Sequence, residues 1–264
     1  MQILHAAANL LDLENPTKGF PMAKSKKAKV AATEVETLTD INVVLDRSGS
    51  MSSIRKDVEG GYNTFIEEQR KVPGDALVSL SQFDNKYEEV YIGKDLNEVP
   101  ELVLVPRGNT ALFDAIGRMI HTARARHAGM TVKPTKRILV VLTDGQENAS
   151  KEFTSASVLA LVSEIKKEGW DVIFLGAEEN SLEVAATLGF NNAVNYAASA
   201  AGSAAVFRGM SRSIGSSRLA ASRGVDSSVV YNQAAYNVAL NEDDDASKTA
   251  AFAVVKNTSA VASK

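Results

Sequence analysis

Asp46, Ser48 and Ser50 occupy alternate positions in the stretch DRSGSM, which follows directly on the apolar run INVVL. Three short oxygen-bearing side chains at i, i+2 and i+4 can turn toward one point if the backbone between them bends, and Gly49 permits that bend. A second aspartate, Asp144, closes the run KRILVVLTDG, and Thr110 lies between the two in RGNTALFDAIGRMI. Carboxylate and hydroxyl oxygens are hard donors suited to Mg2+, Mn2+ or Ca2+. The chain has no cysteine and none of its histidines falls in these stretches, which disfavours zinc and copper. Short side chains suit a small octahedral ion, which needs its oxygens at about 2.1 Å. The structural alternative makes Asp46 a helix cap and Ser50 a turn residue. It leaves Thr110 and Asp144 without a shared purpose.

These residues need elements to carry them. INVVLD (41–46) is a nearly continuous β-branched run, which suits a parallel strand covered on both faces. Val58, Tyr62, Phe65 and Ile66 recur at helical spacing and predict a helix over 53–70, ended by Pro73 and Gly74. ALVSLSQF (76–83) and KYEEVYI (86–92), separated by Asp84 and Asn85, predict a hairpin whose second arm is an antiparallel edge strand. Tyr87 and Tyr91, four residues apart, are expected on one face of that strand. Leu112, Ile116 and Ile120 predict the next helix, and 136–145 repeats the pattern of an apolar strand ending in an aspartate. Val158, Leu161, Val162 and Ile165 predict a helix stopping at Gly169, before a strand over 170–177 that opens with Trp170. A short helix over 181–188, a last edge strand over 191–196, a covering helix over 203–220 and a short helix over 231–240 complete the reading.

Strand and helix in alternation predict an α/β fold: a doubly wound, mostly parallel open sheet with one antiparallel edge strand and helices on both faces. Sheets of this kind hold ligands beyond the carboxyl ends of their strands, where the strand order reverses. Asp46 and Asp144 fall there, and Gly108, Asn109 and Thr110 enter their helix from the same side. The expected organisation is a flexible extension over 1–38, a domain over 39–224 that includes the covering helix, and a short helix with a flexible tail over 225–264. Met22 opens MAKSKKAKVAATE and reads as an alternative start.

The length and the 45% hydrophobic content allow one well-buried core. A net charge of -3 and a pI near 5.7 give no electrostatic case for nucleic acid. Lys24, Lys26, Lys27 and Lys29 read as a solubilising lead-in, and Glu242 to Asp245 as a solvated linker. No apolar run reaches the length of a membrane span, and Asp12 and Glu14 spoil the first residues as a signal peptide. A cytoplasmic location is expected, or a virion if the chain is phage-encoded. His5, His121 and His127 are expected in surface or capping roles.

DRSGSM followed by GNT and then TDG resembles the DxSxS, Thr and Asp pattern of the metal-ion-dependent adhesion site in the von Willebrand factor type A family. All five positions are present in chain order, and the surrounding alternation agrees from about 39 to 196. The resemblance implies that Ser48 and Ser50 coordinate the ion directly and that Asp46 acts directly or through water. It further implies that Thr110 moves in or out of the first shell with ligand state, and that Asp144 works through water. The sixth position would take a partner's Asp or Glu, with Arg47, Met51, Asn109, Glu147 and Asn148 as the rim. The implied function is a non-enzymatic, Mg2+-dependent protein-binding module, with Mn2+ or Ca2+ as alternative ions and self-association as one option. Two competitors are an assembly component with a stabilising metal and a metal-dependent phosphohydrolase. The second lacks a GxxxxGK phosphate loop and has Ser48 where a haloacid-type phosphatase needs an aspartate.

Overall fold

The computed structural model describes residues 37–241. The expected extension before residue 37, with Met22, His5 and the lysine cluster, and the acidic run and tail from 242 onward lie outside the described residues. The strands are β1 (Leu38–Asp46), β2 (Asp75–Phe83), β3 (Tyr87–Asp95), β4 (Lys136–Thr143), β5 (Trp170–Gly176) and β6 (Asn192–Asn195). The helices are α1 (Arg55–Arg70), α2 (Leu112–Gly129), α3 (Ser155–Lys167), α4 (Ser181–Thr187), α5 (Ala200–Ser222) and α6 (Gln233–Leu240). One six-stranded sheet runs in the order β3-β2-β1-β4-β5-β6. All neighbours are parallel except β2 and β3. Order reverses between β1 and β4, so the crevice of this sheet opens above that pair.

Alternate strand residues feed two cores. Ile41, Val43 and Leu45 of β1 with Ile138, Val140 and Leu142 of β4 face α1, α5 and α6. Val44, Leu139, Val141, Val172 and Phe174 face α2, α3 and α4. Burial on both faces explains why these strands read as continuous apolar runs. β1 starts earlier than its apolar run suggests because Asp40 is neutralised inside the protein. Its carboxylate accepts from Arg126 Nη2 at 2.6 Å and Asn42 Nδ2 at 2.7 Å and lies 2.7 Å from His127 Nε2. Burial alone would raise the Asp40 carboxyl, but His127 and Arg126 outweigh it and hold it low. His127 is therefore a buried partner of a carboxylate, not the surface or capping group that its place near a helix end suggested.

Three further expectations are corrected. α1 begins at Arg55 because a 3-10 turn over Gly49–Ser53 comes first. Tyr87 and Tyr91 do not share a face: the register of β3 on β2 shifts between the Tyr91–Leu80 and Glu89–Ser81 pairs, leaving Val90 as an extra residue. Tyr91 consequently packs with the α1 side, where its hydroxyl lies 2.6 Å from that of Tyr62, and Tyr87 packs with the α2 side. Finally, the core does not stop at 224. Val229, Tyr231, Tyr236 and Ala239 are buried in it, and Tyr231 Oη donates to Val206 O at 2.8 Å.

Candidate metal centre

The loop after β1, the loop before α2 and the loop after β4 meet above the β1–β4 junction. Gly49 N donates to Gly108 O at 3.2 Å and Arg107 N to Arg47 O at 2.8 Å, which joins the first two loops through backbone. Asn148 joins the second to the third: its Oδ1 accepts from Thr110 N at 3.0 Å while its own N–H donates to Thr110 O at 3.0 Å. Thr110 is thus fixed in both directions along its peptide units.

Side-chain oxygens converge on that junction. Ser48 Oγ lies 3.0 Å from Ser50 Oγ, and Ser50 Oγ donates to Asp144 Oδ1 at 2.7 Å. Asp46 sits beneath, fully buried, with Oδ1 accepting from Ser48 N at 2.6 Å and Oδ2 from Thr143 Oγ1 at 2.6 Å. Gly145 locates the common point: a methyl built on it would stand 2.9 Å from Thr110 Oγ1 and 3.5 Å from both Ser48 Oγ and Ser50 Oγ. The structure therefore gathers Asp46, Ser48, Ser50, Thr110 and Asp144 around a cradle that any side chain at 145 would fill. Three of the five groups are neutral hydroxyls and two are carboxylates; among the described residues no group of three or more carboxylate, imidazole or thiol side chains could hold a metal ion.

The electrostatics fit a cation. Burial raises the Asp46 carboxyl to about 6; the bonds from Thr143 and Ser48 oppose this, and the Asp144 charge adds to it. Burial also raises Asp144, against the bond from Ser50 and with the Glu178 charge. Two carboxylates held above their ordinary range favour a site where positive charge restores the ionised form. Below them Tyr196 is buried, its hydroxyl has no partner among the described residues, and burial followed by the Asp144 and Asp46 charges suppresses its ionisation. Thr143, Gly145 and Tyr196 escaped the sequence reading. Only Thr143 carried a signal, as a hydroxyl directly before the strand-end aspartate.

The expected rim needs revision. Met51 is fully buried in the α1-side core and cannot meet a partner. Arg47 is also buried, with Nε 2.9 Å from Asp84 Oδ2 and Nη1 2.6 Å from Glu88 Oε2, so its charge is engaged inward. Glu147 fastens its own loop by accepting from Phe113 N, Ala149 N, Ser150 N and Ser150 Oγ. Asn109 and Asn148 remain exposed beside the cradle, although Asn148 is committed to Thr110.

The family model described as von Willebrand factor type A domain matches residues 40–206. Among solved structures, the pilus adhesin SpaC from Lactobacillus rhamnosus GG, in an open conformation, is 17% identical, covers 69% of this chain and 30% of that one, and gives a TM-score of 0.53. A von Willebrand factor type A protein from Catenulispora acidiphila is 15% identical over 69% of this chain and 43% of the other, with a TM-score of 0.48. The manganese-loaded TRAP protein of Plasmodium vivax is 14% identical over 59% of this chain and 63% of the other, with a TM-score of 0.40. The match thus spans less than two thirds of each of these proteins. At such identities the likeness is one of fold. No curated protein matches the chain.

Proposed function

The chain belongs to the von Willebrand factor type A domain family, and on that premise we propose that it is a divalent-metal-dependent protein-binding module that grips a carboxylate of its partner. One observation carries the reading: three neutral hydroxyls, Ser48, Ser50 and Thr110, surround a single point at Gly145, backed by Asp46 and Asp144. The three hydroxyls would hold the ion, and the two aspartates would orient them. When bound, the ion supplies a positive centre that neutral donors leave able to attract an acidic oxygen. Mg2+ is the ion that short, hard donors suit best, with Mn2+ and Ca2+ as substitutes.

The chain's own residues do the positioning. Asp46 turns the Ser48 peptide inward, Thr143 holds Asp46 from the neighbouring strand, and Asn148 keeps Thr110 facing the two serines. The reading is of a binder and not an enzyme. It is tested by a pull-down with the wild type in Mg2+, the wild type in EDTA, and a Ser48→Ala/Ser50→Ala variant in Mg2+. The expected result is a partner held only in the first arm and released by EDTA. Equal retention in all three arms would contradict it. A loss of thermal stability in the variant with retention intact would instead favour a purely stabilising ion.

A further inference from the structure

We infer that Asp84, in the turn between β2 and β3, is a positioning residue of this centre that brackets the serine loop and the threonine loop at one fixed separation. The inference rests on the metal reading above and deepens it. Asp84 touches no candidate ligand, yet it is buried at 3% exposure and its contacts run to both loops. Its Oδ2 accepts from Arg47 Nε at 2.9 Å and from Arg107 Nε at 2.8 Å, and its Oδ1 accepts from Lys86 N at 2.7 Å. Arg47 stands between Asp46 and Ser48, and Arg107 three residues before Thr110. One carboxylate thereby ties together the two segments that must deliver hydroxyls to the same point.

The same turn completes the bracket through one backbone carbonyl and one side-chain amide. Asp84 O accepts from Ala111 N at 3.0 Å, and Asn85 Oδ1 accepts from Asn109 N at 2.8 Å, so the residues on either side of Thr110 both hang from it. Gly108 has φ +69, and any side chain there would collide with Asn85 Oδ1, which keeps the loop pressed against the turn. Thr110 is therefore gripped from the β2 side by this turn and from the β4 side by Asn148. Burial works against the Asp84 charge, but Arg107, the Lys86 N–H and Arg47 outweigh it and keep the carboxylate ionised. Glu88 serves as a built-in comparison. It holds the far side of the Arg47 guanidinium from an exposed position, and it reaches Arg107 of the threonine loop only by charge, as the last of the influences on that guanidinium.

The test is Mn2+ titration of the full chain, read by the EPR signal of the free ion, with pulsed EPR counting water on the bound ion. Wild type, Asp84→Asn, Thr110→Ala, the double variant and Glu88→Gln are compared well below their melting temperatures. Asp84→Asn should weaken binding by about 10- to 100-fold, the range of residues that orient ligands without touching the metal, and the bound ion should gain one water. Thr110→Ala in the Asp84→Asn background should add no more than about twofold, since both changes remove the same ligand. Glu88→Gln should leave affinity and water count unchanged. The inference is overturned if Asp84→Asn binds like wild type, or if its effect and that of Thr110→Ala multiply. If the wild type itself takes no Mn2+, the metal reading falls and this inference with it. Should Asp84→Asn fail to fold, Arg107→Ala removes only the exposed half of the bracket, and the same non-additivity with Thr110→Ala decides.

Discussion

Gly145 follows the aspartate just past the carboxyl end of β4, and a methyl there points at the hydroxyls of Thr110, Ser48 and Ser50. Its backbone is not in the left-handed region, so Gly145→Ala should fold and keep the metal-free melting temperature within a few degrees. On the proposed metal reading Mg2+ should stabilise the wild type and leave Gly145→Ala unchanged, as thermal melts with and without Mg2+ will show. Asp46 gives a pH test. Folding raises its carboxyl from 3.8 to about 6, so its stabilising contribution is full below the unfolded value and is lost as pH rises through the folded one. The shift corresponds to about 3 kcal/mol at most. Metal-free Asp46→Asn should therefore exceed the wild type in stability at pH 7.5 by up to about that amount. The gap should close near pH 4, and saturating Mg2+ should reverse the order at pH 7.5. A constant offset across pH in urea melts contradicts the assignment. The five side chains that meet above the β1–β4 junction were legible because their spacing put each at a strand end or helix entry. Arg47 and Met51 were not, because whether a side chain in that loop points out or in depends on Asp84 and on the α1-side core, both supplied by distant sequence.

α1, α2 and α3 were legible from apolar spacing because each buries one stripe in the core beside the sheet; the irregular joints were not. The extra residue Val90 in β3 turns Tyr91 toward α1 while Tyr87 stays with α2, and no local pattern announces it. The approach of α5 to α1 was hidden as well. At Gly61 an added methyl would overlap the Phe207 ring, so the Phe207 side chain of α5 lies directly on the α1 backbone there. Gly61→Ala should cost about 1–3 kcal/mol of stability as an overpacked contact, measured by urea denaturation. Mn2+ affinity of the folded protein should be unchanged, because neither Gly61 nor Phe207 belongs to any of the three loops. Arg218 of α5 adds a second tie, donating from Nη1 to Gln69 O at 2.8 Å and from Nη2 to Gly74 O at 2.9 Å, where α1 ends.

At the scale of the whole molecule, the sheet order places the two aspartate-bearing strands side by side at the reversal point, and this much followed from alternation and chain logic. What did not follow is how far the core extends. Residues 225–241 read as weakly patterned, yet Tyr231 packs against Gly209 and Gln233 bridges to Asn195 through Oε1 and Nε2. Truncation after Gly224 should uncover the apolar face of α5 and destroy cooperative unfolding, as calorimetry will show; a truncated chain that melts like the whole would refute this. Among the described residues no helix is long and apolar enough to cross a membrane. The central claim, that Ser48, Ser50 and Thr110 hold one divalent cation, is tested most directly by thermal unfolding of the metal-stripped chain as Mg2+ is added. A single site should stabilise the wild type by about 2.7 kcal/mol at a hundredfold excess over Kd, with no such gain in Ser48→Ala/Ser50→Ala. A wild type whose melting is indifferent to Mg2+ and Mn2+, or a variant that gains as much, contradicts the account.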